Sequence, residues 1–310
     1  MQRLALDHIT AIDTTPVQLT EAARAAGCDG MCLFMEPMDV LPLMPKFEIY
    51  DDLAARRDLK ARMHDLGVVL DLAYPFTLAG RTEVAGFAKA LECAADLGAG
   101  LVNVLIYDRD PARRQENFAA FCDLARGQDL RVALEFYPVS QVRSLAEALA
   151  LVVSVGRPGE VGINADLLHL MRSGGTLEEL AAAPSRTILY GQYADGPANR
   201  FEAELDFEAS SDRLIPGQGS FDIAGFARAL PPGCPVSIEV PRNAAVLAGV
   251  PVSELVNCAV SSLRALFQPV RNCASSSALS LKAAALTLSV TCSGLEPPKI
   301  GIVWLVCDAR

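Results

Sequence analysis

Eight short apolar segments alternate along the chain with segments that have the periodicity of amphipathic helices. Strands and helices in strict alternation build a parallel sheet covered by helices. Eight strand–helix units are the number that closes a barrel, so the sequence predicts the α/β class and a (β/α)₈ barrel. The predicted strands are LALDHIT (4–10), MCLFME (31–36), VVLDLAY (68–74), LVNVLIY (101–107), RVALEFY (131–137), VGINAD (161–166), TILYGQYAD (187–195) and PVSIEV (235–240).

Helix-start signals follow several of these strands. Thr15-Pro16 is typical of an N-cap and first helical position, and capping-box patterns begin at Ser144 and Thr176. The alternative is an open doubly wound sheet, which would favour a glycine-rich phosphate turn after the first strand. ALDHITAID contains no glycine, so the barrel is the preferred prediction, over residues 1–270.

Residues 271–310 follow the eighth unit and differ from it in composition. They carry few charges, the only tryptophan of the chain and the apolar run IGIVWLV. An exposed run of this kind favours aggregation. We therefore expect a C-terminal extension, of open role, that packs on the barrel or on another subunit, which leaves a homo-oligomer possible.

Charge and composition exclude several classes of protein. The formal net charge of −10 argues against a nucleic-acid partner, which requires clustered Lys and Arg. No segment approaches the roughly 18 apolar residues of a membrane span, and the N-terminus lacks a signal-peptide run, so we expect a cytoplasmic protein. The nine cysteines form no CxxC pair, and we interpret them as buried small apolar residues.

Polar residues stand at the ends of the last four predicted strands, each in an apolar context. They are Glu135, Asp166, Gln192 and Glu239. The C-terminal ends of barrel strands meet at one face, where the active sites of such barrels lie. Buried carboxylates are costly without compensation, and one shared divalent cation would compensate them. Each residue alone could instead be a helix cap or an ion-pair partner. Oxygen ligands favour Mg²⁺ or Mn²⁺, while Co²⁺ or Zn²⁺ stays possible.

Other polar residues on the same predicted face are candidates for catalysis or substrate binding. His169 follows Asp166 by three residues and suits a general acid or base. Arg172 and Arg213 could hold a phosphate or carboxylate, or could be ordinary loop cations. His8 and Glu36 end the first two strands and could line the far side of the pocket, although a structural role fits them equally well.

Several of these motifs together resemble a known family. They are LEFYP with Glu135, NADLLHLMRSGG, GQYADGP, and RLIPGQGSFDIAGFARALPPGCPVSIEVP. The chain resembles the xylose isomerase-like TIM-barrel superfamily of sugar-phosphate isomerases and epimerases over residues 1–270. The resemblance implies one divalent metal ion held by Glu135, Asp166, Gln192 and Glu239. Endonuclease IV shares this fold but needs a histidine-rich trinuclear zinc site, which three histidines do not supply.

The sixth and seventh strands also resemble those of bacterial 3-dehydroshikimate dehydratases, through Asp166-x-x-His169 and Gln192. The chain departs from that group in YPFT, where Thr77 stands in place of an arginine. The first expectation is therefore a metal-dependent isomerase or epimerase of a small polyhydroxylated or cyclic hydroxyketone, with Glu135 and Glu239 moving the proton. The alternatives are a dehydratase with His169 as acid, and a non-catalytic barrel that binds a metabolite.

Overall fold

The computed structural model describes residues 3–267 of the chain. Its strands form one closed parallel barrel in sequence order, with the last strand hydrogen-bonded to the first. The prediction of an eight-stranded barrel is therefore confirmed. The strands are β1 (Leu4–Asp7), β2 (Gly30–Phe34), β3 (Val69–Leu78), β4 (Leu101–Ile106), β5 (Arg131–Glu135), β6 (Val161–Asp166), β7 (Ile188–Tyr193) and β8 (Val236–Ile238).

Helices connect the strands on the outside of the barrel. The connections after β6 and β7 are broken into several short helices, whereas those after β2 and β4 are single long ones. The helices of the described residues are α1 (Pro16–Ala25), α2 (Leu53–Leu66), α3 (Ala88–Asp96), α4 (Pro111–Arg126), α5 (Leu145–Val155), α6 (Leu167–Arg172), α7 (Leu177–Ala181), α8 (Leu205–Ser211), α9 (Ile223–Ala229), α10 (Asn243–Leu247) and α11 (Val252–Leu266).

The apolar side chains of the strands divide between two layers. In β1, Leu4 and Leu6 join the large cluster that also holds Leu19 of α1, so they face the helices. Ala5, between them, joins a second cluster that includes Leu72 and Tyr190 from other strands and therefore fills the barrel interior. This alternation follows from the two-residue period of a β-strand. Because of the same alternation, polar side chains of the strands lie either in the barrel interior or at its C-terminal opening.

The helix-start signals operate largely as predicted. Thr15 and Thr176 each form a complete capping box at the start of α1 and α7. Ser144 caps α5 by accepting from the Glu147 amide, but the Glu147 carboxylate accepts from the Arg143 amide and not from Ser144. That box is therefore half formed.

Asp195 organises the long connection after β7. Its carboxylate accepts hydrogen bonds from the backbone amides of Gly217 and Gly219, both at 2.9 Å, and from that of Phe221 at 3.1 Å. A Cβ atom on Gly219 would lie 2.2 Å from Asp195 Oδ1, so the loop requires glycine there. Because Asp195 also pairs with Leu214 through the backbone, this loop sets the position of the preceding residue, Arg213.

The remaining fold expectations have mixed outcomes. Five of the six cysteines in the described part of the chain are buried and Cys258 is exposed; all six are free thiols. Within residues 3–267, no helix combines the length and apolar character that crossing a membrane requires. The last helix of the described residues ends at Leu266. The predicted extension, 271–310, lies outside the described residues.

Candidate metal and active site

Four carboxylates are buried together at the C-terminal end of the barrel. Glu135 ends β5, Asp166 ends β6, Glu239 directly follows β8, and Asp7 ends β1. Each of these residues is at most 7% exposed. Glu135 and Asp166, with His169, offer one ligand atom each, and these atoms lie within 4.8 Å of one another. The closed barrel thus brings the three acids predicted as ligands, Glu135, Asp166 and Glu239, to one face.

Arg213 lies between two of these acids. Its Nη1 donates to Asp166 Oδ2 and its Nη2 donates to Glu239 Oε1, each at 2.6 Å, and the residue is 1% exposed. The Nε atom donates to the Ala209 carbonyl at 2.9 Å. A guanidinium with all three nitrogens engaged in this way is held in one orientation. Arg213, predicted to contact substrate, is therefore placed inside the acid cluster and neutralises part of its charge.

Three amide side chains connect the acids on the opposite side. Asn103 of β4 donates to Glu135 Oε2, and Asn164 of β6 donates to Gln192 Oε1 and, at 3.3 Å, to Asn103 Oδ1. Gln192 donates through Nε2 to Glu239 Oε2. The Gln192 oxygen thus faces Asn164, and its nitrogen faces the acids. Asn164 Oδ1 is buried without a hydrogen-bond partner among the described residues.

These contacts close into one ring at the barrel mouth. Its last link is the 3.5 Å approach of His169 Nε2 to Glu135 Oε1. Every member is buried, so the ring forms a fixed polar surface and not a set of solvated loops. In order, the ring runs through Glu135, Asn103, Asn164, Gln192, Glu239, Arg213, Asp166 and His169.

His169 is fixed at both its backbone and its ring. Asp166 is the N-cap of α6, and its Oδ1 accepts from the His169 amide at 3.0 Å. The Tyr137 ring packs on the imidazole with 4.6 Å between centroids. Burial lowers the pKa of His169 to about 4, although the Asp166 charge opposes this. The imidazole is therefore neutral near pH 7 and can accept or donate a proton through one nitrogen.

Burial dominates the proton affinities of the acids. It raises the pKa of Glu135 to about 8, with the Asp166 charge adding to the rise, and raises the pKa of Asp7 to about 6. Burial also raises the pKa of Glu239 well above its usual value, against the opposing charge of Arg213. For Asp166, burial is outweighed by Arg213 and by hydrogen bonds, so its pKa is lowered. In the metal-free cluster Glu135, Glu239 and Asp7 therefore keep their protons to higher pH than free carboxyl groups do, because their surroundings do not fully compensate the ionised forms.

The structure places the other predicted residues outside the ring. The two ring nitrogens of His8 are engaged by backbone groups, the Thr14 carbonyl at 2.9 Å and the Phe34 amide at 3.4 Å. Glu36 is exposed in the loop after β2. Arg172 forms a bidentate pair with Glu208 at 2.6 and 2.7 Å, away from the acid cluster.

Sequence reasoning missed three members of this neighbourhood, namely Asp7, Asn103 and Asn164. Asp7 accepts from Gln192 Nε2 at 3.1 Å and from the Tyr74 hydroxyl. All three are polar residues inside apolar strands, in LALDH, LVNVL and GINAD. The signal that pointed to Glu135 and Glu239 would therefore have found them as well.

The residues present fit a divalent cation. Four buried carboxylates, those of Asp7, Glu135, Asp166 and Glu239, have one buried guanidinium, that of Arg213, as counter-charge. A further cation would offset the excess at a cost far below that of leaving acids buried and uncompensated. Carboxylate and amide oxygens with one imidazole are ligands for Mg²⁺ and Mn²⁺, and also for Zn²⁺.

Known proteins share both the sequence pattern and the fold. Residues 20–255 match the family model described as xylose isomerase-like TIM barrel. The chain is 29% identical over 239 residues, 73% of its length, to a 3-dehydroshikimate dehydratase of Pseudomonas aeruginosa. It is 30% identical over 110 residues, 35% of its length, to an inosose isomerase of Bacillus velezensis. These matches span 35% of the dehydratase and 38% of the isomerase.

The solved structures show the same architecture. A crystal structure of the IOLI protein with a bound zinc atom superposes with a TM-score of 0.68 at 21% identity, covering 84% of this chain and 96% of the other. At that identity the likeness establishes the fold alone. The family model, however, covers most of the barrel, including all four predicted ligand positions. The chain therefore belongs to the xylose isomerase-like TIM-barrel family.

Proposed function

We propose that this protein is a divalent-metal-dependent isomerase or epimerase that acts on a small polyhydroxylated ketone through an enediolate. The observation that carries the proposal is the excess of buried carboxylates in the ring at the barrel mouth, with one arginine as counter-charge. A cluster of this kind destabilises a fold unless it binds something positive, and it lies where barrel enzymes hold their substrates.

Epimerisation through an enediolate needs two bases on different sides of one carbon atom. When bound, the ion would polarise the substrate carbonyl and a neighbouring hydroxyl, which acidifies the C–H bond between them. Glu135 on β5 and Glu239 after β8 are separated by two strands in the barrel, so they approach the opening from different sides. One would remove the proton and the other return it. Asn103 orients Glu135, and Arg213 orients Glu239.

A dehydratase is the second candidate, and two observations favour it. The similarity to the 3-dehydroshikimate dehydratase extends over 73% of this chain. His169, with Nε2 at 3.5 Å from Glu135, could also protonate a leaving hydroxide after the same proton abstraction. Against it stands Thr77, where the chain departs from the dehydratase pattern. A barrel that binds a metabolite without turnover is the remaining alternative.

The test combines metal content with isotope exchange. Protein purified without chelator should contain about one divalent ion per chain, and Glu135→Ala with Glu239→Ala should abolish this. The metal-loaded protein is then incubated in heavy water with D-fructose, an inosose and dehydroshikimate. An isomerase or epimerase should place deuterium on the carbon next to the carbonyl, whereas a dehydratase should release water and give a product with increased ultraviolet absorbance.

Two substitutions separate the roles of the residues. Glu239→Gln should remove most of the turnover while weakening metal binding less than Glu239→Ala, because the amide keeps an oxygen ligand but is a far poorer base. Glu254→Gln, at an exposed position of α11, is the matched control and should change neither. His169→Gln should impair dehydration more than isomerisation. Absence of bound metal, with no thermal stabilisation by Mn²⁺ or Mg²⁺, would contradict the proposal.

A further inference from the structure

A cavity of about 430 Å³ opens on the same end of the barrel but outside the ring of polar residues. Three segments line it: the loop after β5, the end of α6, and the loop after β7. Each contributes one arginine, namely Arg143, Arg172 and Arg200.

Two of the arginines share a single carboxylate. Glu208 is fully buried and pairs with both Arg172 and Arg200. The Arg172 side chain is 8% exposed, and its Nε and Nη2 atoms are engaged by Glu208 and by the Pro197 carbonyl. Its Nη1 donates to no acceptor among residues 3–267. Arg200 has further acidic partners in Asp212 and Glu204, so its charge is largely compensated.

Arg143 differs from the other two arginines because its positive charge is not paired with an acid of the described residues. It is exposed, its Nε donates to the Ser140 carbonyl at 3.3 Å, and it pairs with no carboxylate in the described part of the chain. The N-cap of α5, Ser144, also lines the cavity. The N-terminus of this 11-residue helix adds partial positive charge on the same side. Glu202 lines the wall as well and is the one acid among the lining residues.

We propose that this cavity is a binding site for a phosphate group, held by Arg143 and Arg172 at the start of α5 and separate from the metal centre. The Arg143 guanidinium and the Nη1 group of Arg172 supply several N–H donors. Charged donors of this kind form strong hydrogen bonds with phosphate oxygens. The site adjoins the ring through one layer of residues. Tyr137, which packs on His169, precedes the lining residue Pro138, and Arg172 follows His169 by one turn of α6.

The phosphate could belong to the ligand of the metal centre or to a second molecule. The test is thermal unfolding of chelator-treated protein titrated with inorganic phosphate, against sodium chloride at equal ionic strength. Phosphate should raise the melting temperature with saturation, and Arg143→Ala should raise the half-saturating concentration about tenfold or more. Arg57→Ala, which removes an exposed arginine of α2, is the matched control and should leave the titration unchanged.

The outcomes separate this site from the proposed metal site. Glu135→Ala should abolish stabilisation by Mn²⁺ and leave the phosphate titration intact. Arg143→Ala should weaken the phosphate titration and leave the stabilisation by Mn²⁺ intact. If the phosphate belongs to a metal-bound sugar, Mn²⁺ should greatly lower the concentration of fructose 6-phosphate that displaces inorganic phosphate. If it belongs to a second molecule, D-fructose and phosphate should bind together. Stabilisation no greater than that by chloride, or equal in Arg143→Ala and Arg57→Ala, would overturn the proposal.

Discussion

The two ends of the barrel interior each bury acidic side chains, but the residues that surround these acids differ. At the C-terminal end, the ring surrounds Glu135, Asp166 and Glu239 with a fully buried arginine and several amide donors. Near the N-terminal end, Asp71 of β3 has a buried carboxylate whose ion-pair partner, Arg3, is half exposed. Both of its carboxylate oxygens lie buried beside Gly30, where a Cβ atom would come within 2.6 Å.

The difference lies in the donors that hold the carboxylates and not in how far burial raises their pKa values, because burial raises the pKa of Glu135 in the ring to about 8. Burial raises the pKa of Asp71 to about 6, because a single exposed arginine offsets little of the desolvation. In the ring, each acid has at least one buried donor, and the donors come from separate strands, a loop and a helix. A fold can thus contain a single buried acid that lowers its stability. A set of buried acids, each held by donors from several segments, instead indicates a binding site. Three substitutions test this contrast.

The largest effect is expected from Arg213→Met. Removing one partner of a buried ion pair leaves Asp166 and Glu239 without their counter-charge and should lower the free energy of unfolding of the metal-free protein by about 3–5 kcal/mol. Added Mn²⁺ should recover part of this loss, and stabilise the variant more than the wild type, because the ion supplies the missing positive charge. Urea unfolding with chelator or with Mn²⁺ measures both quantities.

Arg62→Met is the control for this prediction. Arg62 pairs with Glu21 on the surface, and both side chains are more than two-fifths exposed. Exposed pairs contribute about 0–1 kcal/mol, so little change is expected. Equal losses in the two variants would show that Arg213 is no more than an ordinary ion-pair residue.

An intermediate effect is expected from Asn103→Leu. Asn103 is 1% exposed and donates to Glu135, so the substitution removes the donor that orients a proposed ligand. Outer-shell changes of this kind weaken metal binding by roughly 10- to 100-fold. Calorimetric titration of the chelator-treated protein with Mn²⁺ would measure this, with exposed Asn257→Leu on α11 as the control. Unchanged affinity in Asn103→Leu would mean that the amides of the ring do not support a metal.

The smallest effect concerns Asp71→Asn and has the opposite sign. The folded pKa of about 6 lies above the ordinary value of 3.8, so the folded state binds more protons between these limits and stability falls as pH rises through them. Asparagine avoids this penalty and should stabilise the protein by roughly 1–3 kcal/mol at pH 7.5, with the gain vanishing near pH 4. Exposed Asp58→Asn should show no such pH dependence. A loss of stability at pH 7.5 would mean that the Arg3 pair outweighs burial.

The sequence by itself determined the architecture. Alternating periods of two and 3.6 residues, counted over eight units, are a local property of the chain, and they specify a closed barrel without knowledge of any contact. The same local pattern located Glu135, Asp166, Gln192 and Glu239, because an acid or amide inside an apolar strand is visible as a departure from it. Strand order then made these residues neighbours.

Only the tertiary structure decided how these residues are connected. Arg213 stands in a loop, 47 residues from Asp166 and 26 from Glu239, and nothing in its local pattern distinguishes it from Arg172. Asp195 and the turn through Gly219 bring it to the ring, while Arg172 is held by Glu208 outside the ring. Loop conformation depends on contacts between residues distant in sequence, and the free energy of a buried charge depends on what surrounds it. The periodicity of the sequence contains no information on loop conformation or on the surroundings of a buried charge.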